Sequence, residues 1–198
     1  MTISAEQVKQ LRDRTGAGMM ECKKALGEAA GDVEKAIDLL RKAGNERMAG
    51  RTGRTASEGL VDAYIHPGNR VGVLIEVNCE TDFVARTPEF ADLARNLAMQ
   101  VAAAGAEYVR REDVPAERVA KEREIYAAQM EGQKKPPAIL EKIVDGKLEK
   151  FYGEVCLLEQ PYIRDDKVKV GDLVQGAARK TGENVMVRRF TRFRLGQD

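Results

Sequence analysis

VGVLIEVNCETDFV, residues 71–84, decides how the rest of the chain is read. Val71, Val73, Ile75 and Val77 alternate onto one face of an extended segment, as β-branched residues do in a half-buried strand. The alternation stops at Cys79-Glu80-Thr81-Asp82, the apolar pair Phe83-Val84 follows, and Thr87-Pro88 carries the N-cap and first-residue chemistry of a new helix. A large aromatic beside a carboxylate, between strand and helix, admits two readings. In one, Phe83 folds back into the core while Asp82 caps or solvates the turn. In the other, the corner is a probe offered to a partner.

Leu60 to His66 also alternates, and Pro67-Gly68-Asn69-Arg70 supplies turn chemistry, so residues 71–78 form the second arm of an antiparallel hairpin. Downstream, Phe90, Leu93, Leu97 and Val101 mark a helix from Pro88 to about Ala104, ending before Gly105. Two further helices are expected, from about Pro115 to Met130 and from Pro137 to Tyr152, the latter with Leu140, Val144, Leu148 and Phe151 on one stripe. The polar loop Gly132 to Pro137 joins them into a helical hairpin over about 115–152. Pro161 and the charged run Arg164 to Lys169 break the pattern, and a short helix near Gly171 to Lys180 stops at Gly182. Val185 to Leu195 reads as the last strand, with Val185, Val187 and Phe193 on one face and Met186 and Phe190 on the other. Residues 58–198 are therefore expected to form an α+β core, a three-stranded antiparallel sheet with helices against one face.

Residues 1–44 read as a separate three-helix module. Ser4 with Gln7 is a capping-box pair, and Val8, Leu11 and Arg12 continue one helical face until Gly16 and Gly18. Met19, Cys22, Leu26 and Ala29 recur at helical spacing up to Gly31. Asp32 then caps a third helix with Val33, Ala36, Ile37 and Leu40 inward, Arg41 and Lys42 in its last turn, and Gly44 past its end. One of Met19 and Met20 is expected in the core, and the other, beside Lys23, on a partner-facing surface. Residues 45–57, NERMAGRTGRTAS, read as a linker or a helical extension.

Composition narrows the chemistry. With 33 basic and 32 acidic side chains among 198 residues the net charge is +1, which indicates no global attraction to nucleic acid or to an anionic membrane. Charges throughout the first thirty residues exclude an apolar signal core, and no apolar run approaches the ~20 residues of a membrane span. Cys22, Cys79 and Cys156 form no CxxC pair, and their odd number suits reduced thiols in the cytoplasm. The sole histidine, His66, and Cys79 stand at opposite ends of a strand, roughly 30 Å apart, so they form no dyad. Neither GxxxxGK nor GxGxxG is present. No catalytic residue, metal ligand or cofactor is expected.

Three segments together resemble bacterial elongation factor Ts: LRDRTGAGMMECKKAL at 11–26, NCETDFVAR at 78–86, and EKIVDGKLEKFYGEVCLLEQPYIRDD at 141–166. The resemblance implies a guanine nucleotide exchange factor for the GTPase elongation factor Tu, with an N-terminal module similar to ubiquitin-associated domains. It further implies that Thr81, Asp82, Phe83 and Val84 dislodge the GTPase's Mg²⁺, and that Arg12, Met19, Met20 and Lys23 touch its nucleotide-binding domain. Longer members of the family carry a duplicated core half. This sequence has one core half and one helical pair, a short form that favours a homodimer. Two other classes stay open on the residues: an RNA-binding module built on Arg188, Arg189, Arg192 and Arg194, and an adaptor without effect on nucleotide.

Overall fold

The computed structural model describes residues 3–15, 17–51, 53–130 and 136–197. Among these the chain is α+β, with eight α-helices and a three-stranded antiparallel sheet. Helices α1 (Ala5–Thr15), α2 (Met19–Glu28) and α3 (Val33–Arg51) come first. The capping box closes in both directions: the Ser4 N–H donates to Gln7 Oε1 at 3.0 Å and the Gln7 N–H to Ser4 Oγ at 3.2 Å. Asp32 caps α3 by accepting the Lys35 N–H at 3.1 Å, a bond that also holds its carboxyl below the usual range. Leu11, Cys22, Leu26 and Ala36 are sealed between the three helices.

One expectation about this module changes and another is not tested. Gly16, read as a helix breaker, lies outside the described residues. Gly44 does not end the third helix, which continues to Arg51 through the first half of the stretch read as linker or extension. A helix interior tolerates one glycine at about 1 kcal/mol when packing compensates. Here α3 passes against α8 (Val170–Thr181), and a Cβ on Gly44 would lie 3.7 Å from Arg179 Cδ.

In the core, β1 (Glu58–Ile65) pairs antiparallel with β2 (Val71–Cys79), and β5 (Met186–Arg194) adds to the other side of β2, giving the order β1-β2-β5. Gly68 (φ 91°) and Asn69 (φ 56°) provide the left-handed residues of the hairpin turn. Val73, Ile75 and Val77 pack with Phe90, Leu97 and Val101 of α5 (Pro88–Ala104) and with Val174 of α8. Fully burying Phe90 or Leu97 stabilises by about 1.5–3 kcal/mol each. Thr87 Oγ1 accepts the Phe90 N–H at 3.3 Å, Pro88 opens α5 and Gly105 (φ 69°) closes it, as the sequence predicts.

The last strand departs from plain alternation. Val187 lies opposite Val77 but Arg189 lies opposite Glu76, so Arg188 is an inserted bulge residue. A one-residue slip exchanges faces beyond it. Phe190 therefore falls opposite Ile75 and packs on the core, while Phe193 falls opposite Gly72 and is 68% exposed, the reverse of the sequence expectation. The sheet's outer face presents Val61, Ile65, Leu74 and Phe193, all exposed, with Arg189 Nε 2.7 Å from Glu76 Oε2.

Helices α6 (Ala116–Ala128) and α7 (Pro137–Val155) lie side by side as the expected helical hairpin. Residues 132–135 of its connecting loop are outside the described residues. α7 continues past Tyr152 to Val155, and Val144, Leu148 and Phe151 of its stripe are buried. The segment read as a break forms a small strand pair, β3 (Pro161–Tyr162) with β4 (Asp165–Lys169). Buried Gln100 of α5 anchors it, donating from Nε2 to Gln160 Oε1 and to the Pro161 carbonyl, both at 3.1 Å, and accepting the Ile163 N–H at 2.8 Å. Backbone pairing and a distant amide make this element, which side-chain periodicity does not announce. No described helix is long and apolar enough to cross a membrane.

Candidate functional site

Strand β2 ends at Cys79, whose thiol donates to the Thr81 carbonyl at 3.2 Å, and the chain turns. Thr81, extended at φ −128° and ψ 153°, caps a single helical turn, α4 (Asp82–Ala85), by accepting the Val84 N–H on Oγ1 at 3.4 Å. Thr87 Oγ1 then donates to the Val84 carbonyl at 2.8 Å, linking α4 to the start of α5. One turn of helix has two sides. Val84 and Ala85 pack against the main core, so Phe83 is directed outward and is 83% exposed. Of the two readings of the corner, burial of Phe83 is thereby excluded.

Asp82 meets Arg86 at 2.9 Å on the same exposed turn. Exposed pairs at this spacing contribute roughly 0.3–0.5 kcal/mol, so the carboxylate can change partners at little cost. Burial, and then the negative charge of Glu183, push the Cys79 thiol above its ordinary value, which leaves it neutral and unsuited to nucleophilic work. His66 lies at the opposite end of the hairpin, its Nδ1 3.1 Å from the Tyr64 hydroxyl, so the register separates the two residues as the strand length predicts. Among the described residues no cluster of three or more His, Cys, Asp or Glu could hold a metal ion.

Thr81, Asp82, Phe83 and Val84 thus form one continuous feature. Arg12, Met19, Met20 and Lys23 belong to the three-helix module, Arg12 on α1 and the others in the first turns of α2, and all four are exposed. Glu21 Oε2 accepts the Gly18 N–H at 3.1 Å and sets the start of α2. Met19 is 47% and Met20 76% exposed, so the expectation that one of them fills the core fails. Cys22 takes the inward place at the head of the α2 stripe, and two flexible thioethers remain on the surface.

Reading the sequence missed the group that holds the corner. Glu183, in the turn between α8 and β5, accepts the N–H groups of Glu80 and Thr81 on Oε2 at 3.0 and 3.1 Å, and the Thr81 hydroxyl on Oε1 at 2.6 Å. Glu80 Oε1 in turn accepts the Asn184 N–H at 2.6 Å. No local signal marks Glu183, because Gly182-Glu183-Asn184 reads only as a polar turn after a helix.

Comparison with known proteins gives a concordant result. The profile of the family described as Elongation factor TS matches residues 3–197. Among curated relatives, the elongation factor Ts of Moorella thermoacetica is 61% identical over 195 residues, covering 98% of this chain and 96% of the relative. That of Anaeromyxobacter dehalogenans is 60% identical, covering 98% and 89%, and that of Carboxydothermus hydrogenoformans 58%, covering 98% and 90%.

Proposed function

The chain belongs to the elongation factor Ts family of translation elongation factors, and from that premise we propose that it is the guanine nucleotide exchange factor of elongation factor Tu. In this reading it binds the GDP-bound GTPase, displaces Mg²⁺ there, promotes GDP release so that GTP can bind, and makes or breaks no bond. The observation that carries it is Phe83, a large ring exposed on a turn whose other side is fastened to the core. A GTPase holds its nucleotide largely through Mg²⁺ and backbone donors at the phosphates, so a factor need only disturb that arrangement and favour the empty state. Burying the Phe83 ring in a cleft of the partner contributes about 2–3 kcal/mol towards that end. Asp82, paired with an exposed arginine, can reorient polar groups beside the metal, with Thr81 and Val84 setting the turn that carries both residues.

The division of labour follows the chain. Residues 1–44 act as the docking module, similar to ubiquitin-associated domains, with Arg12, Met19, Met20 and Lys23 against the GTPase's nucleotide-binding domain. Residues 45–57 connect it to the core at 58–198. The protein acts in the cytoplasm and needs no cofactor or nucleic acid of its own. Two chains pair through the outer sheet face, where Val61, Ile65, Leu74 and Phe193 would otherwise stay wet. Such a twofold pairing supplies the second core half that the longer family form carries in one chain. The pairing is non-covalent, since Cys22, Cys79 and Cys156 are all buried free thiols. The deciding experiment times the release of a fluorescent GDP from elongation factor Tu with and without the full chain. Release no faster with it than without it overturns the reading and leaves an adaptor role.

A further inference from the structure

We propose that Glu183 is a positioning residue for the exposed corner: by holding the backbone of Glu80 and Thr81 it sets the pose in which Phe83 is offered to the partner. The inference rests on the exchange-factor reading above. Its starting point is an imbalance. Phe83 is almost fully exposed, so packing does not aim the ring, and a helix of four residues does not hold its own shape. The direction of the ring must come from the backbone beneath it.

That backbone converges on one carboxylate. Three donors, the Glu80 and Thr81 N–H groups and the Thr81 hydroxyl, are spread over both oxygens of Glu183, and bonds to an ionised acceptor are the stronger class. Because the Thr81 hydroxyl donates its hydrogen bond to Glu183, its lone pairs are left to the Val84 N–H, so the same contact sets the cap of α4. The return bond from the Asn184 N–H to Glu80 makes the clamp reciprocal. A third segment joins it just past the end of α3: the Arg54 carbonyl accepts from Asn184 Nδ2 at 2.8 Å, and the Arg54 guanidinium lies 3.6 Å from Glu80 Oε2. Chain arriving from the docking module is thereby fastened to the corner itself. Helix α8 makes no demand on this carboxylate, since Gly182 (φ 77°) already closes it with its N–H on the Ala178 carbonyl at 3.0 Å.

The test is a double-mutant cycle on the full chain, with Glu183→Gln and Phe83→Ala made singly and together. Glutamine keeps the size of the side chain but removes the charge from the acceptor, and its NH2 fits at this place only if the Thr81 hydroxyl reverses from donating to accepting. The readouts are the maximal rate of fluorescent GDP release at saturating chain, the half-saturating concentration and the melting temperature. Glu183→Gln is expected to lower the maximal rate about tenfold, the size of one charge-assisted hydrogen bond, with half-saturation little changed and no further loss on the Phe83→Ala background. A Glu183→Gln chain as fast as the parent, or one that loses the same factor with and without Phe83, overturns the proposal, the second outcome being what a merely structural role gives. Normal release by Phe83→Ala itself would instead bring down the probe reading, and this inference with it. Should the melting curve show Glu183→Gln unfolded, Glu183→Asp, which keeps the charge but shortens the reach, goes through the same cycle with the same outcomes.

Discussion

Under the proposed exchange-factor reading, truncating Phe83 to alanine should separate folding from function. In the free protein the ring is 83% exposed and lies on the side of α4 away from the core, so its loss should shift stability by no more than about 0.5 kcal/mol. Inside a partner cleft the same ring contributes about 2–3 kcal/mol. At tenfold per 1.4 kcal/mol, withdrawing it lowers the maximal rate of stimulated GDP release by about 30- to 150-fold if the whole contribution falls in the metal-displaced state. Docking should weaken far less, because the N-terminal module retains its exposed Arg12, Met19, Met20 and Lys23. The assay is stopped-flow release of a fluorescent GDP over a concentration series of Phe83→Ala, with a melting curve beside it. An unchanged maximal rate refutes the probe argument. A normal maximal rate reached only at higher concentration makes Phe83 a docking residue instead.

Further expectations concern the frame that carries the corner. Leu74→Glu places a charge in the middle of the outer sheet face, so light scattering at micromolar concentration should fall from twice the 21.9 kDa chain mass to a single chain, whereas a parent protein already monomeric there defeats the pairing proposal. Gly59 has φ 141°, and a Cβ there would lie 2.1 Å from the Val77 carbonyl oxygen; Gly59→Ala should therefore cost about 3 kcal/mol, seen as a melting temperature lower by about 6–12 °C. Glu159 accepts from Arg111 Nε at 2.9 Å, and that bond lowers its carboxyl below the ordinary 4.5. A depressed folded value adds stability that is present above pH 4.5 and lost as pH falls through the folded value. The gap in urea midpoint between parent and Glu159→Gln should accordingly be open at pH 7 and close in acid, and a gap independent of pH would show that the ion pair is not its source.

What could be read from the sequence, and what could not, divides by the range of the interaction. Thr87-Pro88 with Gly105, and Gly182 after α8, mark their helices because cap and turn chemistry is satisfied within a few residues. Core places on β2 and α5 follow from period alone. The β5 bulge is different: Arg188-Arg189 carries no local sign of an inserted residue, and the insertion is visible only once Val187 and Arg189 are matched to Val77 and Glu76 on the neighbouring strand. Extension of α3 past Gly44 depends on α8, far along the chain, and β3–β4 depends on an amide of α5. The same division explains the corner. Residue type argued for a buried Phe83, since large aromatics are mostly inside. Position argued otherwise, because a single helical turn that packs half-buried Val84 and Ala85 against the core turns its preceding residue to water. Such exposure persists only if something other than the ring's own packing fixes the turn: Val84 and Ala85 on the core, the Thr87 hydroxyl on the Val84 carbonyl and, in the proposal above, Glu183, which no reading of residues 71–84 alone could supply.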